Sequence, residues 1–379
     1  MTDRETALHQ RFAGTRRVPG AGSASIRRAL LVLAALLSCL AGAAAAQTFS
    51  RGEPVIGPMP GGSRQGNPLY GMPPGQVLLS AFGERPVFSP DGRRIAFIGK
   101  SYGDAYELDL ATGAVRNLTA HAPHEGFLRV HYLADGSFLL LGPHQPAETR
   151  EKTRFGRIEL FWMDAKASRP PVPLGVTVFE GIATSRHDNR LAWTEFKLDA
   201  AGKPLGTAVN TARVGMVQGQ PVLLDRREQA VTTECFAEVQ DFLPGDGALT
   251  MPCYHYGRGN SGDIVDVVSL DFRSGKITRY PTTPGLYAEV EGLFPDGRRT
   301  LVECANDRTA GMELCVLDLD AAHPRYTRLT HITDYGRYKY GNPVVSPDGR
   351  TIAAQIGPAD VVDAGVGLGI VLMKLAPDF

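Results

Sequence analysis

An all-β, six-bladed propeller is the fold this sequence predicts, and three observations predict it. A Ser-Pro-Asp-Gly turn with matching flanks occurs near both ends, in residues 86–97 and again in residues 343–354. Weaker copies recur between them at a period of roughly fifty residues, the signature of a repeat architecture. Composition agrees: 43 Gly and 27 Pro are spread through 379 residues, of which 43% are apolar. Many short elements joined by tight turns suit those counts, whereas a disordered chain or a long-helix protein does not.

The chain opens on a leader. Residues 1–28 hold six Arg against Asp3 and Glu5, and residues 29–46 (ALLVLAALLSCLAGAAAA) carry no charge and end in Ala44-Ala45-Ala46. A basic stretch, an apolar run and small residues before Gln47 form a secretory signal peptide, with cleavage expected after Ala46. An uncleaved anchor is the plain alternative, but so short a run, rich in Ala and Gly, barely spans the hydrocarbon. A membrane-tethered lipoprotein acylated at Cys39 is a further alternative, disfavoured by Leu37 beside the small residue Ser38. Residues 47–74 read as a disordered or extended Gly/Pro-rich lead-in, and residues 75–379 as the propeller. The expected location is the periplasm or the exterior, with no membrane span after cleavage.

The six blades follow in order. Their turn aspartates are Asp91, Asp135, Asp188, Asp246, Asp296 and Asp348, separated by 44, 53, 58, 50 and 52 residues. In Ser-Pro-Asp-Gly, Pro presets φ, Asp bonds locally to the backbone, and Gly takes the left-handed position that other residues resist. Val87-Phe88 before the first turn and Ile95 with Phe97 after it read as two strands of a hairpin. Residues 105–110 supply a third strand ended by Thr112-Gly113, and residues 115–119 a fourth. The same order returns in residues 267–275 and 313–330. Four antiparallel strands repeated six times describe propeller blades. The last repeat lacks a fourth strand, because only residues 376–379 follow its third; residues 75–82, which have no blade of their own, are expected to fill the place and close the ring.

Strand order then bears on the cysteines. Cys235 and Cys253 flank the Pro244–Asp246 turn on the first two strands of the fourth blade, and Cys304 and Cys315 flank Thr309 on the second and third strands of the fifth. Two local disulfides are the expected pairing in an exported chain. A zinc site is disfavoured, since no pair has C-x2-C spacing and His255 is the only nearby histidine.

The turn copies and their Leu-x-Leu-x-Thr-Gly and Leu-Thr followers resemble the repeats of TolB-type propellers over about 295 residues. That resemblance implies a six-bladed, periplasmic protein. TolB carries an α/β domain before its propeller, and only residues 47–83 stand there in this chain, so a stand-alone propeller is implied. Peptidase propellers have related repeats and a hydrolase domain, but this sequence has no Gly-x-Ser-x-Gly elbow.

Loops between blades and between second and third strands share one face, around the channel mouth. They gather His121, His124, His144, Tyr254, His255, Arg258, Tyr335, Arg337 and Tyr338 as candidate ligand- or partner-binding residues. Without the leader the chain holds 34 basic and 38 acidic side chains, net −4, with no basic stripe, which excludes a nucleic-acid binder. The expectation is a monomeric, non-enzymatic binding or scaffold protein for a protein or envelope-polysaccharide partner, with no assignable catalytic residue, cofactor or metal. The rival is a polysaccharide lyase or hydrolase. Oligogalacturonate-lyase-like propellers hold a metal with channel-face histidines, for which His121, His124, His131 and His144 are the candidates.

Overall fold

A computed structural model describes residues 52–259, 262–336, 338–360, 367–377 and 379, with side chains omitted at 256–259 and 262–263. Residues 1–51, on which the expected signal peptide and Cys39 fall, and Arg337 lie outside the described residues. Six antiparallel sheets each run from an inner to an outer strand, and together they form a six-bladed β-propeller. Blade one comprises Glu84–Phe88, Arg94–Ile98, Ala105–Asp109 and Val115–Asn117; blade two Arg129–Tyr132, Phe138–Pro143, Ile158–Met163 and Val172–Thr177. Blade three comprises Ile182–Thr184, Arg190–Leu198, Pro204–Val217 and Gln220–Thr232. Blade four has a broken inner strand, Phe236–Ala237 and Asp241–Phe242, then Ala248–Gly259, Gly262–Asp271 and Ile277–Tyr280. Blade five comprises Tyr287–Leu293, Arg299–Ala305, Glu313–Asp318 and Tyr326–Arg328, and blade six Tyr338–Val345, Thr351–Pro358 and Gly369–Lys374.

The turn chemistry explains the repeat. Ser89 Oγ donates to Asp91 Oδ1 at 2.5 Å and accepts from Arg94 N at 3.0 Å, while Asp91 Oδ1 also accepts from Arg93 N. Gly92 takes φ 68°. Ser346, Asp348 and Gly349 repeat the arrangement in the last blade. Apolar side chains from adjacent sheets then interlock; Leu139, Leu160 and Trp162 of blade two pack with Leu191 and Trp193 of blade three, for example.

Closure occurs where the sequence places it. Gln76–Ser80 pairs antiparallel with Gly369–Lys374, with Val77 opposite Leu372 and Leu78 opposite Val371. Gly369 explains the tight approach: at φ 152°, a Cβ there would strike Ser80 O, and one on Gly367 would strike Gly83 O. A second N-terminal strand, Glu53–Pro54, adds to the outer edge of blade five opposite Thr327 and Arg328. The chain between these strands is tied down as well, by Asn306, which exchanges two 2.8 Å hydrogen bonds with the Met59 backbone.

Both disulfides form, Cys235 with Cys253 and Cys304 with Cys315. Such local bridges stabilise by about 2–4 kcal/mol and are compatible with a location outside the cytoplasm. Among the described residues, no helix is long and apolar enough to cross a membrane.

Candidate functional site

The loop residues singled out in the sequence do not converge. His121 and His144 are exposed on separate loops. His124 is committed at both ring nitrogens: Nε2 lies 3.0 Å from Asp104 Oδ1, and Nδ1 accepts from Gly126 N at 2.9 Å. His255 Nε2 bonds Asp266 at 3.0 Å. Tyr338 donates to Asn67, and Tyr335 packs against the apolar cluster between blades five and six. The side chain of Arg258 is outside the described set. Among the described candidates Tyr254 alone reaches the channel, where it meets residues that loop counting did not find.

Those residues sit on the innermost strands or, for Glu180 and Glu238, within two residues of one. Each blade turns a polar side chain inward: Arg85, Arg129 with His131, Glu180, Glu238, Glu289 with Glu291, and Asn342. Three of them, Arg85, Glu180 and Asn342, adopt left-handed φ of 54°, 54° and 47°. For non-glycine residues this costs roughly 1–2 kcal/mol each. Around Arg85 and Asn342 the strain accompanies irregular strand register, which breaks simple inside–outside alternation.

A seven-residue helix, Arg150–Gly156, interrupts the loop between the second and third strands of blade two. Thr149 caps it by accepting from Lys152 N. Too short to show a helical period, it was invisible to pattern reading. It delivers Arg154, whose Nη2 bonds Glu180 Oε2 at 2.7 Å while Nε donates to the other oxygen. Beside this fork, Arg129 Nη2 donates to Glu238 Oε1 at 3.1 Å. Tyr254 Oη lies between Glu238 Oε2, at 3.1 Å, and Glu289 Oε1. One hydroxyl has one proton, so the chain is satisfied when Glu238 is the acid: it donates to Tyr254, which donates to Glu289.

The electrostatics point the same way. Burial raises Glu238; Arg129 opposes, but the charges of Glu180 and Glu289 add, and the carboxyl is pushed up to about 8. Burial would also raise Glu180, yet Arg154, with Arg85 and Arg129 behind it, holds it down to about 2. Glu291 is raised well above the carboxylate range by burial and by Glu303 and Glu289, and Glu303 is raised to about 7 by burial and Glu289. His131 is held neutral, at about 3, by burial and by Arg129 and Arg85.

Stability should therefore depend on pH in a specific direction. Glu238 and Glu303 keep protons when folded that they lose when unfolded, so their contribution falls as pH rises from about 4.5 through 7 to 8. Glu180 and His131 act oppositely: stability is lost as pH falls below 6.5 for His131, through about 3, and below 4.5 for Glu180, through about 2. Between pH 6.5 and 8 the raised carboxyls act unopposed by these two. Calorimetry is expected to show stability decreasing by roughly 2 kcal/mol across that window, with Glu303→Gln flattening part of the slope. A melting temperature that rises from pH 6.5 to 8 would refute the assignment.

No protein-family model matches the sequence, and no curated protein does. Among solved structures the chain is similar to a putative TolB from Agrobacterium tumefaciens at 13% identity, covering 77% of this chain and 90% of that one, TM-score 0.37. It is similar to an oligogalacturonate lyase from Vibrio parahaemolyticus at 12% identity, covering 78% and 79%, TM-score 0.46. The β-propeller domain of the trilobed protease from Pyrococcus furiosus gives 11% identity, 72% and 74% coverage, TM-score 0.45. At such identities no function passes from them to this chain.

Proposed function

We propose that the protein is an exported, non-enzymatic TolB-like propeller that binds a protein or cell-envelope partner with the face carrying its long loops. One observation carries this reading. Phe155 on the short helix and Leu198, Leu205 and Val231 at the matching ends of blade three are large apolar side chains left exposed on that face. Ala208 and Val231 are register partners, which places Val231 close to the strand that begins with Leu205. Contiguous exposed apolar groups rimmed by polar residues are a feature of interaction surfaces.

The test is site-specific photo-crosslinking in intact cells. A crosslinker at Leu205 or Phe155 is expected to yield a discrete adduct, abolished by Val231→Asp, whereas one at Met216, on the opposite face, is expected to yield none. Equal capture from both positions, or none from Leu205, would end this reading. The rival, a lyase or hydrolase, has one supporting observation: Glu180 and Glu238 are pushed to opposite protonation states beside each other's arginines, as a base and an acid require. Turnover of an acidic polysaccharide that disappears with Glu238→Gln would favour it.

A further inference from the structure

The long-loop half of the channel is filled by the Arg154–Glu180 and Arg129–Glu238–Tyr254 contacts, but the other half holds a cavity of ≈ 150 Å³. It extends to Pro90 and Pro347, in the Pro-Asp-Gly turns of blades one and six, so it faces away from the surface assigned above to a partner. A cavity this size accommodates a ligand of about six heavy atoms, by comparison with an apolar cavity of equal volume that binds benzene.

Its inner end is built from strongly polar groups whose bonding is incomplete. Arg85 is 5% exposed, and its Nε and Nη1 have no hydrogen-bond partner; Nε of Arg129, 9% exposed, has none either. Across the same cavity Asn342 Oδ1 is an acceptor without a donor. Buried donors left unpaired cost about 1–3 kcal/mol each, more when charged, so three nitrogens on two guanidiniums are a marked departure. The surrounding charges do not remove it. Glu238 already bonds Arg129, and Arg154 takes both oxygens of Glu180. Arg186 and Asp241 pair with each other at 3.3 Å, His131 is held toward its neutral form, and burial with Glu303 favours the acid form of Glu291. Val87, Val130, Ile182 and Val344 make up an apolar wall.

We infer that this cavity binds a small hydroxycarboxylate: the carboxylate satisfies Arg85 and Arg129, a hydroxyl donates to Asn342 Oδ1, and a short carbon skeleton rests on the valine and isoleucine wall. A single negative charge fits better than a phosphate dianion, because Asp241 lines the same space. A neutral Glu291 can add a donor, whereas a second ligand charge would meet Asp241.

Sodium lactate is the probe, with lactamide as its uncharged counterpart and propionate as the analogue lacking the hydroxyl. In thermal unfolding of the mature protein at pH 7 and constant ionic strength, lactate in about hundredfold excess over its dissociation constant is expected to raise the melting temperature by several degrees. Propionate is expected to be weaker by about tenfold in apparent affinity, and lactamide inert. Arg85→Met should abolish the lactate shift, and Asn342→Gly, which tolerates the left-handed backbone, should erase the preference for lactate over propionate. If Arg85→Met does not fold, saturation-transfer NMR on the unmodified protein decides, with lactate signals attenuated and lactamide signals unchanged. Equal responses to lactate and lactamide, or no response to lactate up to about hundred-millimolar concentration, would overturn the inference. Crosslinking from Leu205 reads the other face and is unaffected by either result.

Discussion

Arg328→Met is expected to destabilise the protein by about 3–5 kcal/mol, the largest loss from any single side chain considered for this fold. Arg328 and Glu313 are 3% and 1% exposed at the side chain and bond at 3.0 Å. Glu313 also accepts from Ile332 N, Thr333 N, and the hydroxyls of Thr330 and Thr333. Arg328 donates onward to Thr330 O and to Pro60 O, each at 2.8 Å. One guanidinium thereby joins blade five, the 3-10 turn Ile332–Tyr335 and the N-terminal segment. Methionine fills much of its volume but leaves a buried carboxylate without a countercharge. Urea unfolding should show the loss as a lower midpoint at unchanged slope, and the double variant with Glu313→Gln should recover more than half of it. A single-variant loss below about 1 kcal/mol would show that the pair is dispensable and that strand pairing and the Asn306–Met59 bonds hold the N-terminal segment without it.

The fold was legible because its information is local. Each of the two Ser-Pro-Asp-Gly copies encodes its own hairpin through three or four side-chain bonds, and the four weaker copies between them keep the turn aspartate at the same period, which fixes the ring without long-range knowledge. The closing strand was legible by subtraction, since the last repeat was one strand short and one strand had no blade. The disulfides followed from strand order. The channel was not legible from loop positions, because its charged residues stand singly in apolar strands. Counting back five to eight positions from each turn aspartate would have found one in every blade: Arg85, Arg129, Glu180, Glu238, Glu289 with Glu291, and Asn342. Irregular register and left-handed backbone hide that pattern from a period-two reading. The histidines are the opposite case. His124 and His255 are conspicuous in a sequence, yet each serves as a local strut to an aspartate.

Charge placement also separates what each end of the channel can do. On the long-loop side, Arg154 and Glu180 neutralise one another, so a partner approaching there meets apolar side chains and a satisfied ion pair. On the turn side, Arg85 and Arg129 keep unspent donors, so a small anion meets an unsatisfied site. The two proposals therefore concern opposite ends of the channel, and the variants that test one leave the other's residues in place.

Ring closure sets the other large effect. Deleting residues 76–80 is expected to lower stability by about 4 kcal/mol or more, a fall in melting temperature of about 8 °C or greater. Leu78 packs in the cluster between blades five and six, whereas Leu79 packs in the one between blades six and one. Partial burial of two leucines contributes about 1–2 kcal/mol each, and the lost ladder bonds supply the remainder. Tyr340, fully buried, also loses its bond to Gln76. Removing the strand exposes Gly369–Lys374 as a bare apolar edge, so the truncated protein should associate as well as unfold earlier. A synthetic peptide spanning residues 74–82, added in trans, should restore both monomeric behaviour and melting temperature, because the vacated edge accepts it in the same register. If the truncated chain melts within about 2 °C of the intact one and stays monomeric, closure contributes nothing to stability, and inter-blade packing alone must hold the ring.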